Sequence, residues 1–166
     1  MDSPPYSIRK ERPADAAAID ALNDNSFGPG RFVRAAYRLR EGVRHDPLLS
    51  LVAEAEWTII GSVRLTPIRI GEKGALLLGP LAVDPVWKGR GCGRALVRGA
   101  VAAARDAGHE LIILVGDEPY YGPLGFRRAP PGTLTMPGPV DPARILVAEL
   151  KPGAADRLAG VVRRAV

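Results

Sequence analysis

Apolar and polar positions along this chain repeat at a period that switches between two and nearly four, and the switches divide it into elements. Tyr6 to Arg9 alternates and predicts a first strand. Pro13, Asp15 and an alanine-rich stretch to Leu22 follow; proline suits a first helical turn, whose N–H groups are unpaired anyway, so a helix is expected from Pro13 to Asp24. The turn formers Ser26-Phe27-Gly28-Pro29-Gly30 interrupt it, after which Phe32, Val33, Ala36, Tyr37 and Leu39 recur at helical spacing to about Glu41. Leu48 to Ala55, Thr58 to Thr66 and Ala75 to Val83 are β-type runs separated by Glu56-Trp57 and by Gly71-Glu72-Lys73-Gly74, which predicts an antiparallel meander. Gly91 to Ala107 is the strongest helix signal, with Leu96, Val97, Ala100, Val101 and Ala104 on one face and Gly108 at the C-terminal cap. Leu111 to Val115 is wholly apolar, the mark of a strand buried on both faces beside a parallel partner. Pro119 to Leu124 predicts a short helix, Phe126 a short strand, Ala129 to Pro142 a proline-rich loop and Ile145 to Leu150 a final strand. The tail from Pro152 to Val166 carries a weak helical pattern through Ala155, Leu158, Ala159 and Val162. With neither an internal repeat nor a long linker, residues 1–166 read as one α+β domain.

Composition narrows the function. An apolar fraction of 46% with 25% charged residues is that of a globular chain and excludes disorder as the main state. No apolar run approaches the ~20 residues that span a bilayer, and the N-terminus lacks a signal-peptide pattern, so a soluble cytoplasmic protein is expected. A single cysteine, Cys92, and two histidines, His45 and His109, supply neither a disulfide nor a metal cluster. The net charge of +5 favours an anionic ligand. The arginines are spread over the whole chain and aromatics are few, so a phosphorylated small molecule fits at least as well as nucleic acid.

The segment Leu81-Ala82-Val83-Asp84-Pro85, followed by Lys88-Gly89-Arg90-Gly91-Cys92-Gly93-Arg94, is a strand end, a glycine-rich turn and a helix start. Glycines at alternate positions let the backbone approach a ligand, and the first amides of the helix point outward unpaired. The helix dipole and the basic side chains of Lys88, Arg90 and Arg94 make the turn an anion cradle. A Walker A loop would end in Gly-Lys-Ser/Thr, and a dinucleotide fingerprint needs G-x-G-x-x-G/A; the segment matches neither. At these residues the chain resembles the GNAT superfamily of acyl-CoA-dependent N-acetyltransferases, whose signature is a Leu-x-Val-x-Pro-like strand end and then Gln/Arg-x-x-Gly-x-Gly/Ala. Lys88 departs from the usual Gln or Arg. A second family element, Tyr-x-x-x-Gly-Phe, stands at Tyr121-Gly122-Pro123-Leu124-Gly125-Phe126, and the ordered pair is more specific than either alone.

The resemblance implies a GNAT fold: a mixed sheet of six to seven strands flanked by about four helices, with splayed central strands holding acetyl-CoA. It implies direct acetyl transfer to a primary amine of a small molecule or peptide, without a metal or an acyl-enzyme. Leu81, Ala82 and Val83 would pair with the pantetheine arm, and Lys88, Gly89, Arg90, Gly91, Cys92, Gly93 and Arg94 would hold the pyrophosphate. A main-chain N–H near Leu81 would face the thioester carbonyl. Tyr121 would be the general acid and also contact the cofactor, with Tyr120 its rival. No general base stands out: Glu54, Glu56, Asp84 and Glu118 border the expected cleft but read as solvated or locally paired charges, and neither histidine carries a signature. Cys92 reads as packing; Trp57 and Trp87 read as covers over apolar surface. A homodimer is frequent in this family. Two other readings compete, a non-catalytic acyl-CoA sensor and, last, a nucleic-acid binder.

Overall fold

A computed structural model describes residues 4–27 and 35–165; of the expected second helix, Phe32 and Val33 lie outside the described residues. The elements in chain order are β1 (Ser7–Lys10), α1 (Ala16–Phe27), α2 (Ala35–Arg40), β2 (Leu51–Ala55), β3 (Thr58–Ile70), β4 (Lys73–Val83), α3 (Cys92–Asp106), β5 (Leu111–Val115), α4 (Glu118–Tyr121), β6 (Arg127–Arg128), β7 (Leu134–Thr135), β8 (Ile145–Glu149) and β9 (Gly160–Arg164).

Seven strands run side by side in the order β1-β2-β3-β4-β5-β8-β6, and β9 joins β3 to β7 off that path. The meander β1 to β4 is antiparallel throughout. Its first tight turn has Glu56 and Trp57 at φ +50° and +66°, the left-handed pair that a two-residue hairpin needs to match strand twist. Trp57 is therefore 95% exposed at a turn tip and covers nothing, contrary to expectation. β3 and β4 run past their expected ends to Ile70 and from Lys73, which shortens the connection to two residues.

α3 is the crossover that carries the chain from β4 to the parallel strand β5. Its apolar stripe, Leu96, Val97, Ala100, Val101 and Ala104, is buried in a core with Leu51, Val63, Leu65 and Leu76. Each large side chain so buried contributes about 1.5–3 kcal/mol, so the helix and its N-terminus are anchored by packing. The opposite face of the sheet carries a second core around Leu39, Ile68, Ile70, Leu77, Ile113 and Val147. α1 lies on β3 and β4.

The tail departs from expectation. Residues 160–164 form a strand instead of a helix, pairing Val162 with Ile70 and Arg164 with Ile68. Alternation decides it: Val162 is 1% exposed and Val161 is 56% exposed, a period of two that outweighs a weak period of 3.6 once β3 offers a free flank.

Candidate active site

β4 and β5 pair only at Leu76 with Ile112 and Leu77 with Ile113. Beyond them β5 continues to Val115 against β8, and β4 continues to Val83 against β3 alone. The register of β3 with β4 steps from Val63–Leu81 to Leu65–Leu78, so Gly79 and Pro80 form a bulge in β4 opposite Arg64. A bulge increases local twist and bends its strand. Here it coincides with the parting of β4 from β5, and among the described residues no strand pairs with the second flank of residues 78–83.

A cleft of about 1070 Å³ opens along that flank. Leu78 to Leu81 and Lys88 line one side, Val115 to Asp117 with Tyr120, Tyr121 and Arg144 another, and Asp20, Asn23, Tyr37, Arg40, His45, Arg64 and Thr66 a third. Among the expected site residues the structure thus brings Leu81, Lys88 and Tyr121 to one cleft. Ala82 is buried at 3%, so only its main chain is at hand.

Immediately after Lys88, Gly89 and Gly91 take φ values of +79° and +80°, and Gly91 is the N-cap of α3. A Cβ at either would meet nothing within 4 Å; the backbone conformation, not space, calls for glycine there. Among the described residues no hydrogen bond engages the amides of Gly89, Arg90, Gly91, Cys92, Gly93 or Arg94, and the first paired amide is Ala95, 3.0 Å from Gly91 O. Six consecutive free N–H groups at the positive end of a 15-residue helix suit a diphosphate. The Cys92 thiol faces the core, and burial pushes it up to about 11, so it is inert packing and offers only its amide. Arg90 lies over the Trp87 ring at 4.8 Å, and Trp87 meets Tyr6 edge to face.

The two tyrosines of α4 diverge. A Cβ on Gly93 would come within 2.5 Å of the Tyr120 hydroxyl, so that phenol is tucked against the start of α3, and Arg94 stands 5.7 Å above its ring. A Cβ on Gly116 would come within 2.5 Å of Tyr121 Cε2, so one edge of the Tyr121 ring lies against the β5 exit, with Tyr120 at 4.8 Å and Phe126 at 5.8 Å beside it. Burial pushes the Tyr121 phenol up to about 12, and it stays protonated through the neutral range.

The four carboxylates near the expected cleft have local roles or none in it. Glu54 is 2.9 Å from Arg9, Asp84 accepts from the Val86 amide, Glu118 lies 3.4 Å from Arg128, and Glu56 sits in the β2–β3 turn. Sequence reasoning missed a different group. Glu11, 9% exposed, lies 2.8 Å from Arg64 and 3.1 Å from His45 Nε2. Burial alone would raise its carboxyl, but His45 and Arg64 hold it below the usual carboxylate range. These residues come from three separate segments, and no local spacing marks them. Asn23 of α1, 3% exposed, also lines the cleft, and its Oδ1 has no hydrogen-bond partner.

Residues 16–126 match the acetyltransferase (GNAT) family. This chain belongs to that family. The GNAT chain is 32% identical over 127 residues, 74% of each protein, to the uncharacterized N-acetyltransferase YhbS of Escherichia coli strain K12. The crystal structure of the Escherichia coli YhbS in complex with CoA superposes with a TM-score of 0.83 at 28% identity, covering 99% of this chain and 92% of that one. A GNAT acetyltransferase from Brucella melitensis in complex with acetyl-CoA gives 0.70 at 33% identity, covering 97% and 96%. The mixed sheet with its parted central strands is the GNAT fold. Among the described residues no group of three or more His, Cys, Asp or Glu is placed to hold a metal, and no helix is long and apolar enough to cross a membrane.

Proposed function

We propose that residues 1–166 form one catalytic domain that moves an acetyl group from acetyl-CoA directly to a primary amine. The observation that carries this is the continuity of the open flank of β4, residues 78–83, with the six free amides that begin at Gly89. An amide-rich pantetheine arm suits that flank as an added strand, and a diphosphate suits the amides and the charges of Lys88, Arg90 and Arg94. The cosubstrates of the YhbS and Brucella structures have this chemistry, CoA in the first and acetyl-CoA in the second.

In this reading Leu81, Ala82 and Val83 hold the arm by main-chain groups, and the N–H near Leu81 stabilises the negative charge that grows on the thioester oxygen as the amine attacks. Tyr121, on the same cleft and protonated at neutral pH, donates to the departing sulfur. Acceptors enter from the third side of the cleft, walled by α1, α2 and β3.

The test is calorimetry with acetyl-CoA followed by thiol release in the presence of a primary-amine panel. Binding with release supports transfer. Binding without release from any amine, at any neutral pH, favours the sensor reading, and absence of binding by folded protein removes both.

A further inference from the structure

A protonated amine has no lone pair with which to attack, so the cleft needs a group that takes its proton. The wall formed by Glu11, His45 and Arg64 has the chemistry. Asp46, next to His45, donates its amide to Leu65 O at 2.8 Å, which holds this loop beside β3. Arg64 on the same strand lies opposite the Gly79–Pro80 bulge, where β4 turns toward the cleft. His45 and Arg64 both line the cavity that Leu81 and Tyr121 line.

The His45 imidazole stands beside a carboxylate, its Nε2 3.1 Å from the buried Glu11. A carboxylate against one ring nitrogen fixes the tautomer in which the other carries the lone pair. Glu11 is in turn fixed by two contacts from Arg64, at 2.8 and 3.2 Å. With His45 neutral, this trio sums to zero formal charge, so an incoming ammonium meets no net repulsion there until its proton has moved. The other charged or titratable groups on this wall are Asp20, Tyr37 and Arg40. Asn23 independently points to a donor-bearing ligand: a buried carbonyl oxygen with no partner is destabilising unless an N–H reaches it.

We propose that His45, positioned by Glu11, is the general base that receives the acceptor's proton, and that the acceptors are alkylamines protonated at neutral pH; this rests on the acetyl-transfer reading above. An ammonium N–H bond breaks and its proton goes to His45 Nδ1. The freed lone pair forms the N–C bond at the thioester carbon, and the C–S bond breaks as the tetrahedral species collapses. The second proton shed by nitrogen is the one the sulfur finally carries, passing through the Tyr121 hydroxyl. His45 returns its proton to water through the open cleft, so one proton is released per turnover.

The experiment compares two nucleophiles, the best primary alkylamine of the panel and the matching alkoxyamine, whose nitrogen is already unprotonated at neutral pH. His45→Gln should lose about 100-fold in kcat/KM with the alkylamine and at least tenfold less with the alkoxyamine. Glu11→Gln should show a smaller loss with the same bias. With the alkylamine, wild-type kcat/KM should change little with pH across the neutral range. That of His45→Gln should rise about tenfold per pH unit, because only free amine then reacts. Acetyl-CoA affinity by calorimetry should be unchanged in both variants, which reports an intact fold. Equal losses with both nucleophiles, or no loss, would overturn His45 as the base while leaving transfer standing. Wild-type protein that binds no acetyl-CoA and acetylates neither nucleophile would overturn the transfer reading and this inference together.

Discussion

The cradle at the start of α3, which reaches the cleft at Lys88, and the wall around Glu11, which reaches it at His45 and Arg64, are specified in opposite ways. The cradle is a contiguous run, Lys88 to Arg94, whose useful groups are main-chain amides; the side chains there mainly need to be absent or basic. The wall is assembled from Glu11, Asn23, His45 and Arg64, whose useful groups are all side chains delivered by different elements. A site built from backbone shape leaves a local sequence signature. One built from dispersed side chains leaves none, and it is free to set which acceptor reacts.

The sharpest break between the two regions is expected at Tyr121, which touches neither. Tyr121→Phe removes one oxygen from a ring held by Gly116, Tyr120 and Phe126, so the packing stays. Turnover should fall about 1000-fold, with the acetyl-CoA dissociation constant unchanged by calorimetry. Undiminished turnover would transfer the acid role away from this residue. Gly91→Val should do the reverse. A β-branched residue at φ +80° costs about 2 kcal/mol, and relaxing it turns the free amides away from their common focus. Acetyl-CoA should bind about 30-fold more weakly. Saturating acetyl-CoA should restore most of the turnover, whereas an irrecoverable loss would mean that the turn also shapes the chemistry.

This contrast explains what could be read from the chain beforehand. The α3 stripe, each strand of the meander, the apolar β5 run and the Lys88–Arg94 turn are each written within about 20 residues, where period and glycine placement are visible. The wall was invisible because Glu11 and Arg64 stand 53 residues apart and meet only through strand pairing. His45 looked like an ordinary loop residue beside Asp46 and Pro47. The tail failed for another reason. Its faint helical period was real, but a strand needs only alternation, and the flank of β3 at Ile68 to Ile70 supplied the partner. Trp57 failed because the left-handed backbone of the turn, not its hydrophobicity, decided where its ring points.

A smaller effect tests whether Tyr121 is placed as rigidly as its neighbours suggest. In Gly116→Ala the new methyl would sit 2.5 Å from Tyr121 Cε2, an atom of a rigid ring, and 3.0 Å from Leu114 Cδ1. The ring must shift by several tenths of an ångström. Displacement of a catalytic group on that scale is expected to cost about tenfold in kcat, with little change in acetyl-CoA affinity. An unaffected rate would show that the hydroxyl reaches the sulfur from a range of positions.

The smallest effect isolates the electrostatics of the wall from the catalysis proposed for it. Glu11→Gln keeps the shape but removes the charge that faces Arg64 and His45, which should cost about 2 kcal/mol of stability at pH 7. The sign with pH follows from the direction of the Glu11 shift. Its folded carboxyl titrates below the ordinary value near 4.3, so on acidification the unfolded chain takes the proton first. The stability Glu11 contributes is fully present above that ordinary value and fades as pH falls through the folded one. Asp15, lowered by its hydrogen bonds from Arg9 against the opposing effect of burial, weakens the fold over the same range in both proteins and cancels from their difference. Denaturant melts of wild type and Glu11→Gln should therefore converge below about pH 4 and separate above it. A gap that persists undiminished to pH 3 would mean that packing, not the carboxylate's charge, fixes the imidazole, and the wall would then resemble the cradle in depending on shape alone.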